Sequence, residues 1–310
     1  MDSRGWLTLV AREVEAAIDE AGLPTGYGSL LRLGLAEAGK VLSSNPSSRW
    51  PLLTLGSCEA ASGGRWEHAI PAAAAMEVFI AALDLLDDLQ DGDADGVIAT
   101  CGEAQALNVS TGLLMLSQRM LLRLSDRGVG AETVLAVGRE LAGAALTVGG
   151  GQHLDLAHES RPTISEQEAL DVASRKSATL VSCACRIGAR LGSDDLAVVD
   201  LLGRFGWHAG MAAQLINDLS DVAPGHPPKS DVRRGKKTLP LVSAATFGLI
   251  TGSAAPPGDE LAFREALAQS GALHYTWVVA DMHRQQAADL LAELGPERPI
   301  EGLLGLLPRA

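Results

Sequence analysis

The stretch that most constrains the fold runs from Pro71 to Asp91, PAAAAMEVFIAALDLLDDLQD. Pro71 suits the first turn of a helix, where its missing N–H is not needed. The residues that follow are rich in Ala, Met, Leu and Glu and contain neither Gly nor Pro, so they favour one long helix. One face of that helix is Ala, Val, Phe, Ile and Leu, and we expect it to be buried.

Four carboxylates share another face of the same helix, because Asp84, Asp87, Asp88 and Asp91 recur at i, i+3, i+4 and i+7. Like charges one turn apart destabilise a helix by about 0.2–0.5 kcal/mol per pair. A hard divalent cation would remove that cost, and Mg²⁺ is commonly held by one or two carboxylates together with substrate phosphates. A solvated acidic helix end is the alternative, and this cluster alone leaves both open.

Composition excludes some partners. The chain has 310 residues and a net charge of −13, which argues against nucleic acid and anionic membranes because both require basic patches. The N-terminus is amphipathic and lacks the apolar core of a signal peptide, so we expect a cytoplasmic protein with no stable membrane insertion. The cysteines show no zinc-site spacing and are expected to be core thiols in a reducing compartment: Cys58, Cys101, Cys183 and Cys185.

Nearly the whole chain shows a helical period of 3.6 residues, broken by Gly, Pro and Ser. The predicted helices are 6–22, 27–42, 50–61, 71–91, 99–126, 131–149, 165–191, 195–222, 238–249, 260–270, 272–294 and 300–306. The predicted loops are 43–49, 92–98 and 223–230, none long enough to be an interdomain linker. The sequence therefore predicts one all-α domain over residues 1–310, a bundle of about 10–13 helices.

A second polar cluster, QLINDLSD, follows about 130 residues later. Asn217, Asp218 and Asp221 lie at i, i+1 and i+4, with Gln214 one turn earlier, so they share a helical face. Facing helices of a bundle often build metal sites from such side chains. We expect the two acidic clusters to converge on metal ions.

Basic residues that could hold an anion beside such a metal occur in two places. Lys176 stands in RKSATL, and Lys236 stands in DVRRGKKTLP among Arg233, Arg234 and Lys237. In so acidic a chain, a dense basic segment directly after an acidic cluster indicates an anion clamp. Together these features suggest Mg²⁺ bridging a diphosphate to carboxylates, with ammonium groups on its far side.

These motifs, taken in order, resemble the trans-isoprenyl diphosphate synthase superfamily. The resemblance spans roughly residues 25–290 and is carried by five segments: E77-V-F-I-A-A-L-D-L-L-D87-D88-L-Q-D91, G151-Q-H-L-D155, K176-S-A-T-L, Q214-L-I-N217-D-L-S-D221 and D231-V-R-R-G-K236-K-T-L-P. It implies an isoprenoid synthase bundle around a deep apolar cavity, and a homodimer.

The resemblance also implies roles for individual residues. Three Mg²⁺ ions would sit on an allylic diphosphate held by two motifs, the first being Asp87, Asp88 and Asp91 and the second Asn217, Asp218 and Asp221. Asp84 is a further candidate metal ligand. Lys176 and Lys236 would contact the diphosphate, with Gln214 and Arg233 also binding substrate. Metals and lysines would stabilise the departing diphosphate, while an apolar cavity protects the carbocation from water.

The chain departs from the family at the site for a second substrate, isopentenyl diphosphate. The usual Gly-Gly-Lys-Arg-x-Arg-Pro segment falls at 45–51, where Ser47, Ser48 and Trp50 replace the cations and Arg49 is shifted. Ile80 stands where a His is expected, and no Lys or Arg occurs between Asp91 and Arg119. At about 1.5–3 kcal/mol per charge-assisted hydrogen bond, we expect this acceptor site to be lost.

This loss leads to a ranked set of functions. The first is a terpene synthase, resembling the IDS-like (type IB) branch, that cyclises or quenches the cation. The second is a prenyltransferase with a non-isopentenyl acceptor, resembling the ComX-pheromone isoprenyltransferases. The third is a chain-elongating polyprenyl diphosphate synthase with a rebuilt acceptor site. A non-catalytic partner subunit is disfavoured because such a subunit would not need both acidic clusters.

Small residues about one turn before the first motif, Ala81, Ala82 and Leu83, leave room for a C15 or C20 chain. Phe79, farther along the helix, is a candidate floor for the cavity, although core packing explains it equally well. The triplet Gly149–Gly151 is expected to interrupt its helix.

Overall fold

The computed structural model describes residues 3–223, 236–248 and 260–308. Regular structure over these ranges is helical throughout, and they contain no strand, so the all-α prediction is confirmed. The helices are α1 (Ser3–Asp19), α2 (Thr25–Leu35), α3 (Trp50–Ser62), α4 (Ile70–Asp91), α5 (Gly96–Cys101), α6 (Glu103–Leu122), α7 (Ala131–Glu159), α8 (Glu166–Ala173), α9 (Thr179–Gly192), α10 (Leu196–Val222), α11 (Leu239–Thr246), α12 (Glu260–Gln269), α13 (Ala272–Ala292) and α14 (Glu301–Leu304). Short 3₁₀ turns occupy Glu67–Ala69 and Ser125–Arg127, and a π-helical turn occupies Ser174–Ala178.

The chain forms two compact units. The first comprises Met1–Leu141, Ala184–Asp200 and Gly295–Leu306, and the second comprises Ala142–Cys183, Leu201–Leu294 and Leu307–Ala310. Helices α7, α9 and α10 therefore contribute residues to both units.

Helix α4 is the core of the first unit and packs most extensively on α6, α3 and α1. Its first half is buried on every side, from Ile70 to Ala82, whereas its last two turns reach solvent. The stretch Glu67–Asp91 is long and apolar enough to cross a membrane, but 83% of its most apolar window is buried inside the protein. That burial is typical of a core helix and confirms the buried apolar face predicted for this segment.

Two predicted helix ends are wrong in the N-terminal part of the chain. Helix α2 ends at Leu35 rather than 42, and residues 36–49 form an irregular segment held by carboxylates of neighbouring helices. The predicted helix 99–126 is instead two helices and a 3₁₀ turn, because Gly102 adopts φ +77° between α5 and α6. Only glycine takes that conformation without steric cost, so Gly102 ends one helix and starts the next.

The expected helix interruption at Gly149–Gly151 is also wrong, since α7 continues to Glu159. Interior glycine costs about 1 kcal/mol relative to alanine, which does not break a helix held by tertiary packing. At Gly151 a Cβ would lie 2.7 Å from Cβ of Arg175 and 3.1 Å from the backbone N of Lys176. The glycine therefore serves close approach between α7 and the π-helical turn rather than a kink.

The second unit has its own packing around α11 and α13. Leu239 and Ala280 pack with Leu215 of α10, and a neighbouring cluster is formed by Val222, Leu241, Ala244, Phe263, Leu267 and Ala272. Helix α8 begins with a capping box, in which the Ser165 hydroxyl accepts from the N–H of Glu168 while the Glu168 carboxylate accepts from the N–H of Ser165.

The cysteines are free thiols, and Cys58, Cys183 and Cys185 are buried as predicted, whereas Cys101 is half-buried. Burial raises the pKa of Cys58 and of Cys185 to about 12. These two thiols are therefore protonated core residues rather than nucleophiles.

Close packing of α9 on α3 gives a testable prediction. A Cβ at Gly188 would lie 2.1 Å from the backbone oxygen of Thr54, so Gly188→Ala must displace one helix from the other. We expect it to lower the free energy of unfolding by about 3 kcal/mol, measured by urea denaturation. Gly138→Ala in α7 is the matched control, because nothing lies within 4 Å of its Cβ position. The control should be neutral or slightly stabilising; equal effects of the two changes would refute the packing argument.

Candidate active site

The first acidic cluster occupies the last two turns of α4. Asp87, Asp88 and Asp91 are partly exposed there, and Asp84 is more exposed. The pKa of Asp88 is raised to about 6, first by burial and then by the carboxylates of Glu37, Asp84, Asp93 and Asp87. Negative charge therefore exceeds what these side chains can accommodate at neutral pH, as the sequence pattern predicted.

The donors of this cluster suit a hard divalent cation, because all of them are carboxylate oxygens. Over the residues that the structure describes, no three Asp, Glu, His or Cys side chains are grouped as a complete metal site. A metal held here would therefore take further ligands from a substrate or water, which is the usual coordination of Mg²⁺ in phosphate-handling proteins.

Asp84 has a partner that the sequence did not suggest. The Lys40 ammonium lies 2.5 Å from Oδ2 of Asp84, and only 14% of the lysine side chain is exposed. Burial by itself would lower the pKa of Lys40, but Asp84, Glu37 and Glu77 outweigh burial and raise it. Asp84 thus tethers the segment 36–49 to α4, and its role as a metal ligand stays a prediction.

A second carboxylate holds the same segment from inside the core. Glu77 is 2% exposed; its Oε1 accepts from the N–H of Val41 at 2.8 Å and its Oε2 accepts from the Ser48 hydroxyl. Burial raises the pKa of Glu77, while these hydrogen bonds and Lys40 oppose the shift. Ser48, which stands where the family has a cation, is therefore engaged with an anion of α4.

The acceptor segment is consequently less depleted of positive charge than the sequence analysis expected. Lys40 was overlooked there, although Gly39-Lys40 lies just ahead of the aligned motif at 45–51. Arg49 is exposed, and Ile80 is buried in α4. The segment keeps one buried ammonium, and that ammonium is neutralised by carboxylates.

The second polar cluster lies in the last two turns of α10. Asp218 and Asp221 are buried, at 6% and 4% exposure. The Gln214 amide donates to Oδ1 of Asp218 at 2.7 Å, and the Asn217 amide donates to Oδ2 of Asp221 at 3.4 Å. Two amide side chains therefore orient the two carboxylates. The convergence of this cluster with the one on α4 remains a prediction from the sequence.

Lys176 lies in the π-helical turn between α8 and α9. Its ammonium donates to Oδ2 of Asp155 in α7 at 2.7 Å. The next residue, Ser177, donates its hydroxyl to Oε1 of Gln214. The structure thus brings together three of the five motifs quoted above: GQHLD, KSATL and QLIND.

The basic segment after α10 is described only in part. Lys236 and Lys237 are half-buried just ahead of α11, whereas Arg233 lies outside the described residues. Burial lowers the pKa of Lys237, and Glu159 opposes that shift. A cation with a lowered pKa at a partly buried position is stabilised when an anion binds beside it.

The residues proposed to bound the prenyl chain lie along α4. Phe79 and Ala82 are buried and Leu83 is partly exposed, and the backbone oxygen of Ala82 accepts from the Ser110 hydroxyl of α6 at 2.9 Å. These contacts fix the position of α4 against α6. Whether these side chains contact substrate stays a prediction.

Comparison with known proteins gives one consistent result. A family model described as Polyprenyl synthetase matches residues 40–248. The (2E,6E)-farnesyl diphosphate synthase of Mycobacterium bovis is 32% identical over 280 residues, which are 83% of this chain and 76% of that protein.

Two solved structures have the same fold over nearly the full length. The polyprenyl synthetase of Streptomyces coelicolor A3(2) matches with a TM-score of 0.81 at 28% identity, covering 97% of this chain and 96% of that one. The geranylgeranyl pyrophosphate synthetase of Geoglobus acetivorans matches with a TM-score of 0.85 at 26% identity, covering 99% of each chain.

The raised pKa of Asp88 predicts how stability depends on pH without metal. Between its ordinary value of 3.8 and about 6 the folded protein binds more protons at this carboxyl than the unfolded chain does. Stability from this group is therefore present at low pH and is lost as pH rises through that window. We expect Asp88→Asn to raise the free energy of unfolding near pH 7 relative to about pH 4, measured by urea denaturation in chelator. Asp126→Asn, which removes the same charge at an exposed position, should not; an unchanged pH profile for Asp88→Asn would contradict the prediction.

Proposed function

This chain belongs to the polyprenyl synthetase family and is an enzyme of the prenyltransferase kind, and we propose that it elongates an allylic prenyl diphosphate with isopentenyl diphosphate in a Mg²⁺-dependent reaction. The observation that carries the proposal is the 32% identity to a farnesyl diphosphate synthase over 83% of the chain. It favours the third function considered from the sequence over the first, because the relatives described above are named as prenyl or polyprenyl synthases and none of them as a cyclase.

The residues divide the work as follows. Asp87, Asp88 and Asp91, with Asn217, Asp218 and Asp221, would hold three Mg²⁺ ions on the diphosphate. Bound there, the ions neutralise the negative charge that develops on the leaving group.

Lys176 and Lys236 would bind the oxygens of the same diphosphate, together with Gln214 and Arg233. Lys176 now donates to Asp155, so it would exchange one anion for another without ever being buried unpaired. Apolar side chains beside the first motif, among them Phe79, Ala82 and Leu83, would exclude water from the carbocation and limit a C15 or C20 chain.

Lys40 supports the presence of an acceptor site. It is the buried ammonium of segment 36–49, it lies on the first motif through Asp84, and it gives isopentenyl diphosphate a cation that the aligned positions 47, 48 and 50 no longer supply. To bind a diphosphate, Lys40 would have to leave Asp84.

A second candidate function is favoured by the same contact. Three carboxylates act on Lys40, namely Asp84, Glu37 and Glu77, so the segment carries net negative charge that repels a second diphosphate. An enzyme that ionises the allylic diphosphate and then cyclises or quenches the cation, or transfers it to a neutral acceptor, has no need of such a site.

The proposal treats residues 1–310 as one catalytic domain in the cytoplasm. The net charge of −13 and the burial of α4 in the protein core support a protein that binds neither nucleic acid nor the membrane stably.

A homodimer is part of the proposal, and α6 supplies its surface. Leu107, Met115 and Leu122 are each more than half exposed and fall on one face of this helix, with Thr111 between them. Exposed apolar stripes of this kind on a soluble protein mark interaction surfaces. A second copy is the occupant that the family resemblance implies.

The function is tested by product analysis. The purified protein is incubated with Mg²⁺ and geranyl, farnesyl or geranylgeranyl diphosphate, with and without isopentenyl diphosphate. We expect a longer prenyl diphosphate only when isopentenyl diphosphate is present. Hydrocarbon or terpene alcohol formed from the allylic substrate alone, beyond acid-hydrolysis controls, would instead establish the second candidate.

The acceptor cation is tested in the same assay. Lys40→Met should raise the KM for isopentenyl diphosphate about 10–100-fold, the equivalent of one lost charge-assisted hydrogen bond, with the KM for the allylic substrate nearly unchanged. Arg49→Met is the matched comparison because it removes the other, exposed cation beside the aligned motif. A larger effect of Arg49→Met than of Lys40→Met would place the acceptor at Arg49.

The dimer is tested by light scattering. Met115→Lys combined with Leu122→Lys should convert a dimer to a monomer at micromolar concentration, because burying two ammonium groups costs more than the stripe contributes. Gln105→Lys, an exposed position elsewhere on α6, should leave the dimer intact. A monomeric unsubstituted protein would exclude this interface.

A further inference from the structure

The second unit contains a line of hydrogen bonds that runs from the π-helical turn to a predicted metal ligand. The Ser177 hydroxyl donates to Oε1 of Gln214, and Nε2 of Gln214 donates to Oδ1 of Asp218 at 2.7 Å. Asp218 is 6% exposed, so the orientation of its carboxylate is set by protein contacts rather than by water.

The direction of this line follows from the chemistry of its members. An ionised carboxylate only accepts hydrogen bonds, so the Gln214 amide must present its NH₂ group to Asp218. The carbonyl oxygen of Gln214 then faces Ser177, and because that oxygen also only accepts, the serine must donate. No other arrangement satisfies all three groups, so Ser177 determines which end of the amide reaches Asp218.

Close backbone packing holds Ser177 in place. A Cβ at Gly151 of α7 would lie 2.7 Å from Cβ of Arg175, and a Cβ at Gly210 of α10 would lie 2.6 Å from Cα of Ala178. The π-helical turn is thus in contact with helix backbones on two sides. At its start, the Trp207 indole N–H donates to the Ser174 hydroxyl at 3.1 Å. A turn fixed in this way can transmit orientation, because neither of its ends is free to relax.

We propose that Ser177 is a positioning residue that orients Asp218 for metal binding through Gln214. The inference rests on the proposed function only for the role of Asp218 as a metal ligand. Ser177 follows Lys176 directly, so one π-helical turn supplies the ammonium for the diphosphate and also orients a carboxylate for the metal that the diphosphate shares. Ser177 itself contacts neither metal nor substrate.

The test measures metal binding without turnover. Mn²⁺ is titrated into the full chain in the presence of inorganic diphosphate, and free Mn²⁺ is followed by electron paramagnetic resonance. We expect Ser177→Ala to raise the Kd for Mn²⁺ about 10–100-fold, the usual cost of losing a group that orients a metal ligand. Ser177→Thr keeps the hydroxyl and should bind Mn²⁺ within about threefold of the unsubstituted protein.

Ser182→Ala is the matched control. Its hydroxyl donates to the backbone oxygen of Gly203 at 2.8 Å in the same unit, so the change removes a comparable hydrogen bond with no connection to Asp218. It should leave the Kd for Mn²⁺ unchanged. Equal Mn²⁺ affinity in Ser177→Ala and Ser182→Ala, with both variants folded by circular dichroism, would overturn the proposal.

A second variant keeps the test decisive if Ser177→Ala folds poorly. Gln214→Leu has a similar size, removes both hydrogen bonds of the line and should weaken Mn²⁺ binding to the same extent. Because both residues act through one carboxylate, the double variant should show no further loss, whereas additive losses would refute a shared route. Prenyl transfer is assayed separately, so an inactive protein whose Mn²⁺ affinity still depends on Ser177 would refute the proposed function and support this inference.

Discussion

Crowding of like charge at the end of a buried helix is the constraint on which the first unit depends. The first half of α4 is enclosed by α1, α3 and α6, so its last two turns cannot swing away to relieve the repulsion among their carboxylates. The raised pKa of Asp88 reports that repulsion together with the cost of burial. Helix packing thus contributes free energy that keeps an unfavourable cluster in place, and a divalent cation with its diphosphate is a natural counterpart.

The protein relieves part of that charge with an internal cation. Lys40 pairs with Asp84, while Glu77 takes the backbone of Val41 and the hydroxyl of Ser48. Segment 36–49 is therefore held to α4 by the carboxylates themselves. This arrangement explains why the replacement of basic residues by serine at 47 and 48 is compatible with folding. It also places the substrate question in one ion pair, since the acceptor diphosphate and Asp84 compete for Lys40.

In the second unit, orientation replaces repulsion as the organising principle. Asp218 and Asp221 each receive a side-chain amide, and Lys176 is paired with Asp155. Each buried charge that these residues carry thereby has a partner before any ligand arrives, which limits the desolvation cost of keeping it in the core. The π-helical turn at Ser174–Ala178 links these contacts, and π-helical turns within helices frequently occur at functional sites.

Much of this protein follows from its sequence through local rules. Helical periodicity gave the all-α class, and the apolar face of Pro71–Asp91 gave the core helix. The i, i+3, i+4 and i+7 spacing gave the acidic face, because these properties depend on neighbours within two turns. The order of five motifs gave the family. The helix ends at Leu35 and Glu159 did not follow, since each depends on contacts with distant residues.

Tertiary structure alone decided which distant groups meet. Lys40 and Asp84 are 44 residues apart, and Ser177 and Gln214 are 37 residues apart, so no sequence window contains either pair. Gly151 was read as a helix breaker because its local propensity is poor, whereas in the fold it allows two backbones to approach. Sequence determined which residues carry charge and which segments are helical. Packing between segments far apart in the chain determined which charges are neutralised, because that depends on distances that local rules do not encode.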